Sequence, residues 1–106
     1  LLGAHTDEES IAWAKEAYAR DRTPWILMRL LLRAPDTETI AEAEAALERL
    51  KDHEELEPEM IYSVLRADPK NKVALRRGRV WLKRSPENKW IKAVTPLIRS
   101  AGKKKA

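Results

Sequence analysis

Prolines divide this chain into short stretches of helical spacing, and they set the limits of what it can fold into. Thr23-Pro24, Glu57-Pro58, Asp68-Pro69 and Ser85-Pro86 each put a polar residue before a proline. Proline suits the first helical position because its missing N–H would have no partner there. The preceding polar residue can cap the free N–H groups of the first turn. Between these marks there is no sustained period-two alternation and no Asn-Gly or Asp-Gly hairpin signal. The expectation is an all-α fold of about six helices.

The first helix is predicted over 7–20, with Thr6 and Glu9 spaced as a capping box. The second covers 24–33 and stops before Pro35, because the residue before a proline is pushed out of the helical region. It is apolar nearly all round (Trp25, Ile26, Leu27, Met28, Leu30, Leu31 and Leu32), which predicts a central, buried helix. The third covers 37–51, with Ile40, Ala43, Leu47 and Leu50 on one face, and the fourth 58–67, with Met60, Ile61, Val64 and Leu65 inward. The fifth covers 69–84 and the sixth 86–101, where Pro96 should kink or restart the helix with Thr95 as a new cap. Gly102 ends it, and residues 103–106 read as a frayed basic tail on a single domain over 1–102.

A chain of 106 residues can bury one modest core. No run approaches 18 apolar residues, so membrane insertion is not expected. No signal peptide is visible, and the start at Leu1 leads us to expect a segment upstream. The absence of cysteine excludes disulfides, thiol catalysis and zinc sites built on cysteine, and leaves the compartment open. The net charge of +4 hides an asymmetry: residues 1–60 hold 7 Lys/Arg against 15 Asp/Glu, and residues 61–106 hold 14 against 2. Such a dipolar domain attracts a polyanion to its basic half.

Pro24 and Pro58 are 34 apart, and so are Pro35 and Pro69. The same shift aligns Ile26 with Met60, Leu27 with Ile61, Leu30 with Val64 and Leu31 with Leu65. It also puts Trp13, Leu47 and Trp81 in one column and Lys15, Arg49 and Lys83 in another. A short helix followed by a longer one on this period is the pattern of a two-helix solenoid, whose units bury their apolar faces by stacking. The architecture expected is thus a right-handed helical-hairpin repeat (a short solenoid) or a compact helical bundle with prolines aligned by chance.

The stretch Asp68-Pro69-Lys70-Asn71, followed by Ala74 and Leu75, resembles the junction between tetratricopeptide repeats. The period and the proline-opened short helix also resemble the DNA-binding repeats of TAL effectors, and HEAT-type repeats are a third resemblance. What these resemblances imply is a solenoid of paired helices that binds through an extended surface. Val80-Trp81-Leu82-Lys83-Arg84 resembles a homeodomain recognition helix, but the asparagine of that helix is absent and Ser85-Pro86 interrupts it.

The fifth helix carries the sharpest chemical signal. Ala74, Leu75, Gly78, Trp81 and Leu82 form an inward face, and Gly78 there costs about 1 kcal/mol against alanine, which a closely passing helix would explain. Lys72, Arg76, Arg79 and Lys83 form a wholly basic stripe on another face. Like charges at this spacing repel, and a polyanion would relieve the repulsion and release counterions. Arg77, Lys89 and Lys92 are expected to flank it. The opposing expectations are a solvated face or pairing with the acidic half across the fold. All four tryptophans are expected in the core, with base stacking the alternative for Trp81 and Trp90.

The acidic run Asp52, Glu54, Glu55, Glu57 and Glu59 reads as a solvated loop, because it lacks the glycine and ligand spacing of a calcium loop. His5 and His53 are too far apart to argue a metal or catalytic pair, no serine has an adjacent histidine, and no glycine-rich phosphate loop exists. No catalytic residue, cofactor or metal is expected. The expected function is a non-enzymatic binding module that engages the phosphates of DNA or RNA through its basic C-terminal half, or alternatively a protein–protein interaction module, a helical-repeat adaptor or a subunit of a larger assembly, that binds an acidic protein segment.

Overall fold

The computed structural model describes residues 7–102. Six helices follow one another: α1 (Asp7–Asp21), α2 (Pro24–Arg33), α3 (Thr37–Arg49), α4 (Leu56–Ala67), α5 (Lys72–Arg84) and α6 (Lys89–Gly102). There is no strand among the described residues, so the fold is all-α as its spacing predicts. His5, the Thr6 capping box and the basic tail lie outside the described residues.

Pro69 and Pro86 do not open helices. Asn71 N–H donates to Asp68 C=O at 3.0 Å, and Asn88 N–H donates to Ser85 C=O at 3.1 Å. Asp68-Pro69-Lys70-Asn71 and Ser85-Pro86-Glu87-Asn88 are therefore the same four-residue turn, with proline at the second position that its fixed φ suits. The asparagine then caps the helix. Asn71 Oδ1 accepts from Ala74 N–H at 3.0 Å, and Asn88 Oδ1 accepts from Trp90 N–H at 2.8 Å. α5 and α6 accordingly start three residues later than their prolines suggest. Pro24 does sit at the first position of α2, though Thr23 makes no side-chain cap bond. α4 begins before Pro58, and His53 Nδ1 accepts from the Leu56 N–H at 3.1 Å at its start.

α6 runs through Pro96 without restarting. Thr95 is not a cap; its hydroxyl donates to Ile91 C=O at 2.8 Å within the same helix. Pro96 lies on the exposed side, where its missing hydrogen bond is cheapest because water can reach the freed carbonyl.

α2, α4 and α6 pack side by side as a row, with α3 and α5 behind α4 and α1 behind α2. The molecule measures 48 × 32 × 21 Å. A helix with its side chains is about 10–12 Å across, so the shortest dimension is two helical layers. The core lies between them: Leu27, Leu30, Ile61, Val64, Leu65, Trp81, Ile91 and Val94 are all buried. Gly78 marks a close approach of α5 to α4 and α6. A Cβ there would stand 3.0 Å from Ile98 Cδ1, 3.4 Å from Val94 Cγ1 and 3.5 Å from Ile61 Cγ2.

Two tryptophans depart from expectation. Trp13 is 71% exposed and Trp25 66% exposed, as is Leu32 at 73%. α1 makes its close backbone approach to α2 and reaches α3 only through side chains such as Lys15, so the outward side of Trp13 stays uncovered. α2 is not enclosed either: it buries Leu27, Leu30 and Leu31 but nothing covers its far side. An apolar circumference is buried only if the chain supplies helices on every side, and this one supplies two layers.

Candidate functional site

On a helical wheel of about 100° per residue, Lys72, Arg76, Arg79 and Lys83 fall within an arc of about 60°. Ala74, Gly78 and Trp81, the buried side of α5, lie directly across from it. Since Gly78 faces α4 and α6, the four cations point away from the rest of the molecule. All four are exposed, and none forms an ion pair among the described residues. Lys89 and Lys92 are exposed on the neighbouring helix α6. Lys89 Nζ lies 5.6 Å from the centre of the Trp90 ring, a cation–π distance.

Arg77 does not belong to this surface. Its guanidinium turns inward onto Glu57, which is buried. Arg77 Nε donates to Glu57 Oε2, and Arg77 Nη2 donates to Glu57 Oε1 at 2.9 Å. Trp81 Nε1 donates to the same Oε1 at 2.8 Å and Asp52 N–H at 2.7 Å. Burial pushes the Glu57 carboxyl up, but the hydrogen bonds from Arg77, Trp81 and the Asp52 backbone outweigh it and hold the group below its usual range. The Glu57 carboxylate in turn raises Arg77. Asp52 sits outside this pair, accepts from Arg84 Nη1 at 2.9 Å, and is lowered chiefly by that bond. The acidic loop is thus a structural clamp on α5 at Asp52 and Glu57. Glu57 shares helical spacing with Ile61 and Val64, the signal in the sequence that assigns it to the inward face.

Some other acidic residues of the first half are spent in the same way. Lys15 Nζ bonds Asp36 Oδ2 at 2.9 Å and Glu38 Oε1 at 3.1 Å, tying α1 to α3. The Lys15 bond, helped by the Thr39 N–H, lowers Asp36 to about 2. Asn71 donates to Glu44 Oε2 at 2.8 Å. Among the described residues no group of three His, Asp or Glu is placed to hold a metal ion. No described helix is long and apolar enough to cross a membrane.

The fold also builds a second surface, which helical spacing alone does not reveal. A groove of about 320 Å³ crosses the row on the face turned away from α3 and α5. Trp25 and Leu32 of α2, Tyr62 of α4 and Trp90 of α6 form its apolar lining. Tyr62 and Trp90 pack with ring centres 5.6 Å apart. Arg29 and Arg66 also line it, against one carboxylate, Glu59. Trp90 therefore stands half-buried in a groove, while Trp81 is core. Set beside known proteins, this chain has no match: no family model, no curated protein and no solved structure matches it.

Proposed function

We propose that this chain is a non-enzymatic helical binding module that engages nucleic-acid phosphates through the outer face of α5. Lys72, Arg76, Arg79 and Lys83 are the contacts, with Lys89 and Lys92 of α6 as flankers. One observation carries the reading. Among the described residues Asp36, Glu38, Glu42, Asp52 and Glu57 pair with other cations, Arg77 and Arg84 included, and no carboxylate pairs with the four on the stripe. Neutralising them would relieve their mutual repulsion and release counterions from the polymer. Contacts of this kind position a duplex or strand and carry no sequence information.

We read the architecture as short two-helix repeats on a 34-residue period. In support, the groove-lining residues Trp25, Met28, Arg29 and Leu32 of α2 are displaced by 34 from Glu59, Tyr62, Ser63 and Arg66 of α4. A second functional reading, a protein–protein interaction module, is favoured by the groove itself. The test of the first is fluorescence anisotropy with duplex DNA, single-stranded DNA and RNA, beside the variant in which all four stripe residues become glutamine. Binding that the variant loses is the expected result; equal binding by the variant would contradict the assignment.

A further inference from the structure

We infer that the α2–α4–α6 groove is a docking site for an acidic amphipathic helix of another protein. This inference deepens the interaction-module reading and does not depend on the four stripe cations of α5, which lie on the other layer.

The apolar lining supplies the anchor points. Trp25 and Leu32 are large, two-thirds or more exposed, and one helical side of α2 apart from the residues that α2 commits to the core. Exposed apolar surface of this kind, gathered in a concave site with aromatic walls, is the usual mark of an interaction site. Tyr62 and Trp90 deepen it, and the Arg66 guanidinium stacks 5.5 Å from the Tyr62 ring while donating to its hydroxyl at 2.7 Å. Arginines and aromatics held this way are the residue types that dominate binding energy at interfaces.

Two features choose the occupant. Every wall of the groove is α-helix, so none offers the free edge of a sheet with which an extended backbone could pair. An extended peptide would enter apolar surroundings with its own N–H and C=O groups unpaired, so the segment must bring its backbone bonds with it, as a helix does. The charge chooses its composition. Arg29 and Arg66 line the groove, Arg33 lines the adjoining hollow beside Trp13, and Lys89 sits over Trp90, against Glu59 alone among acids. Arg29 and Arg33 form no ion pair among the described residues although they belong to the acidic half of the chain. Neighbouring helices pack about 8–10 Å apart, so the three-helix row offers about 16–20 Å, the length of about 11–13 helical residues.

The test is selection of binders to the immobilised domain from a random 16-residue peptide library, followed by titration of the enriched peptides in solution. Enriched peptides should carry apolar residues at i, i+3 or i+4, and i+7, flanked by Asp or Glu. Trp25→Ala and Leu32→Ala, both at exposed positions and checked for unchanged circular dichroism, should each weaken binding at least tenfold. The double charge reversal Arg29→Glu with Arg66→Glu should do the same, and the stripe variant should bind as the wild type. The inference is overturned by no enrichment, by basic or non-amphipathic winners, by unaffected groove variants, or by an oligonucleotide that competes the peptide away. It is also overturned if ultracentrifugation finds a dimer that Trp25→Ala abolishes, because the occupant is then a second copy.

Discussion

Glu57 presents none of its side chain to solvent and still stays ionised, because four donor bonds converge on its two oxygens. Removing one partner of a buried ion pair leaves the other charge unpaid in a poorly solvated site, which costs about 3–5 kcal/mol. Arg77→Met should therefore destabilise strongly, and the Glu57 carboxyl should titrate above its usual 4.5, because burial then opposes ionisation with less against it. NMR titration of the Glu57 side chain checks this. The wild-type pH dependence follows the same logic. Carboxyls whose pKa is lowered by folding contribute stability that is present above their unfolded value and lost as pH falls through the folded one. Glu57 loses its share as pH drops below about 4.5, and Asp36, lowered from 3.8 to about 2, loses its share between these values. Urea midpoints measured from pH 7 to pH 2 should fall along this limb, and Glu57→Gln should flatten its upper part. At this scale the sequence misleads, since Glu57 sits in a run of acids that reads as a loop. A charge in a run is assigned to core or solvent by helix phase, and the phase depends on where α4 starts.

The helix starts are where local chemistry and sequence punctuation part company. Proline and asparagine both mark a beginning, and the observed turns use proline for the corner and asparagine for the cap. Asn71→Ala should lose about 1–2 kcal/mol and Asn88→Ala about 1 kcal/mol in urea unfolding, the first being larger because Asn71 also donates to Glu44. Pro69→Ala and Pro86→Ala should cost less than either. Gly78 divides along size. Alanine gains about 1 kcal/mol of helix propensity and needs only the mobile end of Ile98 to shift, so Gly78→Ala should stay within about 0.5 kcal/mol of wild type. Gly78→Leu overfills the contact with α4 and α6 and should lose about 1–3 kcal/mol. The close approach itself was legible from a glycine on an apolar helical face. The route of α6 through Pro96 was not, because it depends on which side of the helix meets water.

At the scale of the whole molecule, the helix count and the outward basic stripe of α5 could be read from periodicity alone, since both are properties of one helix at a time. The exposure of Trp13, Trp25 and Leu32 could not. It is decided by the number of layers the chain supplies, and an apolar residue facing outward looks the same in sequence as one facing a partner helix. The proposed function turns on one electrostatic interaction, phosphates held by the four cations of α5 that have no ion-pair partner among the described residues. Neutralising each phosphate contact on duplex DNA changes the slope of log affinity against log salt by about 0.9, or about 0.7 on a single strand. The decisive measurement is that slope, by anisotropy across a salt series, for the wild type and for the variant with Lys72, Arg76, Arg79 and Lys83 changed to glutamine. The account predicts that the variant's slope is shallower by about 3–4 units. Equal slopes for the two proteins would contradict it.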